Sequence, residues 1–139
     1  MKVKEVMHRG ATWVDPNTPI TEIAKMMRDG DIGSIPVGEN DRLVGMVTDR
    51  DIICRGLASG GDCTKLTAGK VMSQPILYCR TEEDLEDALH IMKQKQVRRL
   101  PVIDGNKRLV GMLALGDISG KAGHQLTGEV IRSVAAHHG

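Results

Sequence analysis

The chain contains nearly the same sequence twice. Residues 42–52, Arg-Leu-Val-Gly-Met-Val-Thr-Asp-Arg-Asp-Ile, return as residues 108–118, Arg-Leu-Val-Gly-Met-Leu-Ala-Leu-Gly-Asp-Ile. The match extends to the Val-Met pairs at residues 6–7 and 71–72 and to the Pro-Val pairs at residues 36–37 and 101–102. A period of about 65 residues is a whole supersecondary module, not a short solenoid turn. Because the two copies fill almost the whole chain, we expect a pseudo-symmetric pair with a cleft where the halves meet.

The repeats divide the chain into four parts. Residues 1–58 form the first repeat, residues 59–66 a Gly- and Ser-rich linker, residues 67–123 the second repeat, and residues 124–139 a C-terminal helical extension. Each half alone buries too little apolar surface to offset its chain entropy, so we expect the halves to fold as a clamped pair. Thr127 is a candidate cap for the extension. The apolar residues at helical spacing in the extension are Val130, Ile131, Val134 and Ala135.

Each repeat shows the same order of predicted elements. A short extended run (residues 12–14 or 76–79) precedes a helix, two strands joined by a hairpin turn follow, and a second helix begins at Asp49 or Leu115. Thr18-Pro19 marks the start of the first helix and Gly30 its end. The pattern β-α-β-β-α, present twice, predicts an α+β fold. The helical faces are predicted from apolar residues at i, i+3, i+4 and i+7: Ile20, Ile23, Ala24 and Met27, then Leu85, Ala88, Leu89 and Met92.

Composition argues against several classes of function. The net charge is +1, and the aromatic residues are one Trp and one Tyr with no Phe, so neither a basic field nor stacking platforms favour nucleic-acid binding. No apolar run approaches the roughly 20 residues of a membrane helix, and the N-terminus lacks a signal-peptide core. We therefore expect no nucleic-acid or membrane partner and a cytoplasmic location.

The metal-binding residue types are scattered. Three cysteines, Cys54, Cys63 and Cys79, show no Cys-x-x-Cys spacing, which favours reduced thiols over a disulfide framework or a zinc site. His8, His90 and His124 lack ligand spacing, and the C-terminal histidine pair favours a frayed tail. No metal site is predicted. The sequence also shows no nucleophile arrangement, Walker loop or catalytic carboxylate pair, so an enzyme is the most distant of the hypotheses.

The order of these motifs resembles the cystathionine-β-synthase (CBS) domain family, and the pair resembles the tandem Bateman module of small stand-alone bacterial members. The resemblance covers residues 2–57 and 67–122. It depends on the Val-Met pair, the helix, the apolar-Pro-Val strand and the Leu-Val-Gly-Met strand that leads to an Asp. It implies a regulatory sensor that binds an adenine nucleotide (AMP, ADP or ATP) in the inter-repeat cleft, needs no obligatory cofactor, and signals to a protein target.

The resemblance also implies a homodimer. The sequence supports this expectation because apolar residues of the second helix, Ile52, Ile53 and Leu57, are predicted to form an exposed face.

The segment Gly45-x-x-Thr48-x-x-Asp51 matches the ribose-phosphate motif of that family. Thr48 could donate its hydroxyl to a phosphate, and Asp51 could accept both ribose hydroxyls. The alternative is a capping box that stabilises a helix start without any ligand. In the second copy Ala114 replaces the Thr while Asp117 is retained, so the two potential sites are not expected to be equivalent.

Two further groups complete the predicted site. Arg98 and Arg99, assisted by Lys95, precede the second Pro-Val strand and suit a phosphate, although a basic strand edge that deters aggregation is the alternative. Adenine needs an apolar slot, although ordinary core packing is the alternative for most of its candidates. The candidate slot residues are Ile35, Pro36, Val37, Leu100 and Pro101. The competing hypothesis for function is a ligand-free scaffold with a closed pocket, which Ala114 supports.

Overall fold

The computed structural model describes residues 1–10, 12–73, 77–118 and 124–138, of which 124–127, 130 and 137–138 are described by their backbone alone. The strands are β1 (His8–Arg9), β2 (Ser34–Glu39), β3 (Arg42–Thr48), β4 (Cys79–Arg80), β5 (Arg99–Ile103) and β6 (Leu109–Ala114). The helices are α1 (Ile20–Gly30), α2 (Asp49–Asp51), α3 (Ala68–Val71), α4 (Leu85–Lys95), α5 (Leu115–Ile118) and α6 (His124–His138). The predicted α+β class is confirmed.

The chain forms two compact units. One is Thr12–Ile76, and the other combines Met1–Ala11 with Leu77–Gly139. The first unit contains a two-stranded sheet, β2-β3, and the second a four-stranded sheet in the order β1-β6-β5-β4. Each unit has its own hydrophobic core beneath its sheet and its long helix. The fourfold division of the sequence stays a prediction.

The long helix of each repeat forms where the apolar period predicts it. In α1 the side chains of Ile20, Ile23 and Met27 are buried, whereas Ala24 of the predicted face is exposed. The helix ends at Gly30 as predicted, but the left-handed residue that caps it is Asp31, with φ of 51°. In α4 all four predicted apolar residues are buried. The helical period of the apolar residues therefore identifies the buried faces of α1 and α4. Each of these faces packs into the hydrophobic core of its unit.

The predicted hairpins are confirmed. β2 and β3 pair antiparallel, and the turn between them places Asn40 and Asp41 at φ of 55° and 64°. Asn and Asp tolerate this left-handed region better than other non-glycine residues, which explains the turn chemistry. β5 and β6 pair in the same way, and the Asp104 carboxylate accepts hydrogen bonds from two backbone N–H groups of the turn.

The extended runs before the long helices are shorter than predicted. In the first repeat only Val14 forms a bridge, parallel to Val37. In the second, the strand is Cys79–Arg80, parallel to β5, and residue 76 of the predicted run lies outside the described residues. The second helices begin at Asp49 and Leu115 as predicted, and α2 continues as a π-helix over Ile52–Gly56.

Each unit contains one of the two segments that carry a Val-Met pair. Each of these segments lies beside the helix and strands of the other sequence repeat. We call residues 1–10 and 66–73 the Val-Met segments. In one unit Ala68 N–H donates to the Thr18 carbonyl at 2.8 Å, and in the other Val3 N–H donates to the Glu83 carbonyl at 2.9 Å. β1 pairs with β6, while Ser73 forms a single bridge with Met46. The compact units therefore differ from the sequence repeats, because the repeats exchange these segments.

This exchange explains two glycines of the repeated motif. A Cβ on Gly45 would overlap the Met72 side chain, and a Cβ on Gly111 would overlap the His8 carbonyl oxygen. Both glycines therefore let a Val-Met segment approach the strand that they belong to.

The C-terminal extension is helical, as predicted. α6 packs on α4, where the Ser133 hydroxyl donates to the Lys93 carbonyl at 2.9 Å and Lys93 Nζ lies 2.8 Å from Glu129 Oε2. Of its predicted apolar face, Val134 is buried and Ile131 is 49% exposed. Ala135 is exposed, and the side chains of Val130 and Thr127 lie outside the described part.

Candidate functional site

The first motif lies where β3 ends and α2 begins. The Thr48 hydroxyl accepts a hydrogen bond from Asp51 N–H at 3.0 Å, and Asp51 Oδ2 accepts one from Thr48 N–H at 2.9 Å. These reciprocal bonds form a capping box. The alternative interpretation of Thr48 and Asp51, a pair that stabilises a helix start, is therefore present in the structure. A cap does not exclude ligand binding, because a carboxylate has about four lone-pair sites.

The Asp51 carboxylate is buried, with the residue 9% exposed, and a Val-Met segment supplies a second partner. Ser73 Oγ lies 2.9 Å from Asp51 Oδ2 and 3.1 Å from Asp51 Oδ1. The guanidinium of Arg55 adds a longer contact, 3.9 Å from its Nε to Asp51 Oδ1, and donates to the Met72 carbonyl at 3.0 Å. A serine hydroxyl has one proton to donate, so Asp51 Oδ1 keeps most of its capacity to accept a hydrogen bond.

The second motif repeats this geometry with different residues. Asp117 Oδ2 accepts a hydrogen bond from Ala114 N–H at 3.2 Å, which is half of the capping box that the first motif has. Asp117 Oδ1 lies 2.8 Å from His8 Nε2. The side chain of His8 is 75% exposed and that of Asp117 is 22% exposed. The two motifs, which are predicted to be inequivalent, therefore also differ in the side chain that contacts the aspartate.

Sequence reasoning missed His8 and Ser73. Each directly follows a Val-Met pair, so the two residues occupy equivalent positions of the repeat. The signal was present in the alignment of the two copies, but it gave no indication that these segments lie beside the motif aspartates. From the sequence alone, His8 is one of three scattered histidines without ligand spacing.

The predicted basic residues lie beside the second motif. Leu115 N–H, at the start of α5, donates to the Arg98 carbonyl at 2.9 Å, and Arg99 pairs with Ala114 in the β5–β6 register. Arg98 is exposed and Arg99 half-buried. Within the described part of the chain, neither guanidinium has a hydrogen-bond or ion-pair partner. Both side chains are therefore free to contact an anion.

The equivalent place in the first motif has the opposite charge. Asp49 N–H donates to the Gly33 carbonyl at 3.0 Å, as Leu115 does to Arg98. A Cβ built on Gly33 would lie 3.3 Å from the Asp49 carboxylate. A carboxylate thus stands in the first motif where arginines stand in the second.

Most of the predicted adenine-slot residues are core. Ile35 and Val37 belong to the hydrophobic core of one unit and Leu100 to that of the other, all with no exposed surface. Side chains alternate along a strand, so Pro36 and Pro101 point to the opposite face of their sheets, and both are buried. The two prolines are therefore better candidates for contact with an adenine than the three core residues. Adenine binding at these positions stays a prediction.

A cavity of about 580 Å³ lies in the unit Thr12–Ile76. It is bounded by the loop before α1 and by the β2–β3 turn, and its described lining contains none of the predicted site residues. Trp13 forms one wall and packs closely on Gly38 of the hairpin of its own repeat. Two residues of its lining adjoin the predicted slot: Val14 N–H donates to the Pro36 carbonyl at 3.1 Å, and Gly38 directly follows Val37.

The cysteines show no common site. Cys54 is exposed, Cys63 is half-buried and Cys79 is buried. Burial, reinforced by the Glu83 carboxylate, raises the pKa of the Cys79 thiol to about 12. Across residues 1–10, 12–73, 77–118 and 124–138, no group of three His, Cys, Asp or Glu side chains is placed to hold a metal ion. None of the helices in these ranges has the length and apolarity that a membrane crossing requires.

Known proteins resemble the chain over most of its length. It is 41% identical over 117 residues to Hypoxic response protein 1 of Mycobacterium tuberculosis, covering 84% of this chain and 81% of that protein. It is 43% identical over 117 residues to the CBS domain-containing protein YhcV of Bacillus subtilis, covering 84% of this chain and 82% of that protein.

Solved structures resemble the fold. A crystal structure of Hypoxic Response Protein I with two coordinated zinc ions has a TM-score of 0.80 at 39% identity, over 88% of this chain and 100% of that one. CBSX2 in complex with AMP has a TM-score of 0.74 at 27% identity, over 85% and 93%. The CBS domain pair of protein MJ0100, in complex with 5-methylthioadenosine and S-adenosyl-L-methionine, has a TM-score of 0.74 at 26% identity, over 86% and 93%.

The CBS domain family matches twice, at residues 3–56 and 68–122. These ranges contain the two copies that the sequence repeats, including both motif aspartates. The chain therefore belongs to the CBS domain family and carries a tandem pair of CBS domains.

Proposed function

We propose that this chain is a regulatory protein that binds an adenosine-containing ligand at its CBS motifs. The observation that carries the proposal is the equivalent placement of Asp51 and Asp117 at a strand-to-helix junction, where one oxygen of each carboxylate contacts the side chain that follows a Val-Met pair. A carboxylate in that position can accept hydrogen bonds from both hydroxyls of a ribose. The AMP complex of CBSX2 and the complexes of MJ0100 support the same ligand class.

The charge around each motif determines which ligands it favours. Among the described residues, no partner occupies the guanidinium groups of Arg98 and Arg99 beside the second motif. Arginine binds phosphate through two parallel hydrogen bonds. Asp49 beside the first motif repels a phosphate. We therefore expect nucleotides such as AMP, ADP or ATP at the second motif, and ligands without phosphate at the first.

Binding is proposed to act by shifting a conformational equilibrium that a partner protein recognises. A ligand shifts such an equilibrium only as far as its affinities for the two states differ. A homodimer is also proposed, because Ile53 and Leu57 on the helical turns after Asp51 are 57% and 65% exposed. The inter-repeat cleft, the protein target and the cytoplasmic location stay predictions.

Isothermal titration calorimetry with AMP, ATP, NADH and S-adenosylmethionine tests the proposal. We expect saturable binding of at least one of them. R98Q/R99Q should weaken AMP binding by about 10- to 100-fold, since each charge-assisted hydrogen bond contributes about 1.5–3 kcal/mol, with part of that replaced by water. R108Q is the matched control, because Arg108 is exposed at the other end of the same hairpin. No heat with any of the four ligands would contradict the proposal.

The second candidate is a ligand-free interaction protein. The partners that Asp51 and Asp117 have within the chain favour it, because neither carboxylate needs a ligand to be satisfied. If D51N/D117N binds a protein partner as the wild type does, and mass spectrometry finds no small molecule released on denaturation, this candidate is correct.

A further inference from the structure

The partner of the motif aspartate differs between the two CBS domains in a way that affects ligand binding. Asp51 has a serine hydroxyl as its partner, and Asp117 has an imidazole. Both partners follow a Val-Met pair, so the difference is a substitution at one position of the repeat. Arg98 and Arg99, which lie beside the second motif, have no hydrogen-bond or ion-pair partner within the described residues.

We propose that His8 competes with the ligand for Asp117 and thereby lowers the affinity of the second motif for a ribose. His8 is a positioning residue in this role, because it acts through Asp117 and does not itself recognise the ligand. The inference deepens the proposed function and depends on it: ribose binding at Asp117 has to displace His8.

The hydrogen-bonding capacities of the two partners give the physical reason. A ribose presents two neighbouring hydroxyls, which a carboxylate accepts most directly when the ligand can reach both of its oxygens. On Asp117, Oδ2 already accepts from Ala114 N–H, and His8 Nε2 covers Oδ1 at 2.8 Å. The imidazole N–H can only donate to the carboxylate, whereas a serine hydroxyl can donate to Asp51 and accept from a ligand hydroxyl at the same time. Ser73 can therefore stay in place while His8 has to leave.

The exposure of His8 determines the size of the effect. Its side chain is 75% exposed, so it can turn into solvent without disturbing the core. A hydrogen bond to so exposed a side chain contributes little, so the need to break it weakens a competing ligand by about two- to fivefold. His8 thus reduces occupancy of the second motif without closing it.

Calorimetry with AMP tests the inference in a D51N background, where the first motif is impaired. We expect H8A and H8S each to tighten AMP binding about two- to fivefold relative to D51N alone. H90A is the matched control, because His90 is exposed on α4, and it should leave the affinity unchanged. Unchanged or weaker binding in H8A would overturn the inference, since an imidazole that contacts the ligand would give the weaker result.

A ligand-free measurement shows whether the pair exists in solution. In a ¹H–¹⁵N spectrum of the histidine rings, H8Q identifies the His8 signals, and D117N should move those signals while leaving the signals of His90 in place. If D117N leaves the His8 signals unmoved, the inference is wrong even if AMP binds. If the wild type binds none of the four ligands, the proposed function fails and the inference fails with it. AMP binding that H8A does not change overturns the inference alone.

Discussion

Gly111→Ala should destabilise the unit that contains β1 and β6. A Cβ at this position overlaps the His8 carbonyl oxygen and lies 3.3 Å from Met7 Sδ. The obstacle is backbone, so no rotamer change relieves it and β1 has to move away from β6. That movement breaks the pairing of His8 and Arg9 with β6 and the contact between His8 and Asp117.

The magnitude follows from the interactions that are lost. Overpacking costs about 1–3 kcal/mol. The hydrogen bonds between β1 and β6 contribute about 0.5–1.5 kcal/mol each, although water replaces some of them after the strand moves. We therefore expect Gly111→Ala to lower the free energy of unfolding by about 2–3 kcal/mol. Gly45→Ala should cost about 1 kcal/mol, because its obstacle is the flexible side chain of Met72.

Urea unfolding followed by far-UV circular dichroism measures both changes. Gly128→Ala in α6 is the control, because a Cβ there meets no described atom within 4 Å and alanine favours a helix over glycine by up to about 1 kcal/mol. The control should be neutral or stabilised. If Gly111→Ala is as stable as the wild type, or is less destabilised than Gly45→Ala, β1 does not lie against β6 as described.

Three further outcomes follow from individual side chains. Ser73→Ala should lower the free energy of unfolding by about 1 kcal/mol, measured in urea, because the buried Asp51 carboxylate loses a hydrogen bond; Ser73→Thr should retain most of it. Burial raises the pKa of Glu83, whose Oε2 is buried and has no hydrogen bond from the described residues. Ionisation of Glu83 therefore opposes folding, and stability is lost as the pH rises through that raised pKa. Glu83→Gln should raise Tm at pH 7 but not at pH 3, and an equal shift at both would refute this. A thiol reagent at pH 8 should modify the exposed Cys54 in the native protein, while Cys79 should react only after unfolding, because its pKa is about 12.

Local patterns in the sequence predicted the elements of the fold because local interactions determine them. The apolar period of α1 and α4 set their buried faces, and Asn40-Asp41 set the turn of the first hairpin. The repeated motif also indicated the two strand-to-helix junctions where Asp51 and Asp117 lie. The capping-box alternative for Thr48 was visible in the spacing alone.

The exchange of the Val-Met segments could not be predicted in this way. Both segments carry the same apolar signature, so the sequence does not say which body each of them packs on; the chain connections decide it. The partners of the motif aspartates depend on that exchange, because Ser73 is 22 residues and His8 is 109 residues away from its aspartate. A pairing over such separations leaves no periodicity or spacing in the sequence.

The central claim is that the two motif aspartates hold a ribose-containing ligand. Calorimetric titration of AMP into the wild type and into D51N/D117N tests it most directly, with circular dichroism to show that the variant is folded. The asparagine amide can still accept from the backbone N–H of Thr48 or Ala114, so the local structure should persist. We predict saturable heat in the wild type and none in the variant. Equal affinity in the two proteins, or no heat in either, would contradict the account.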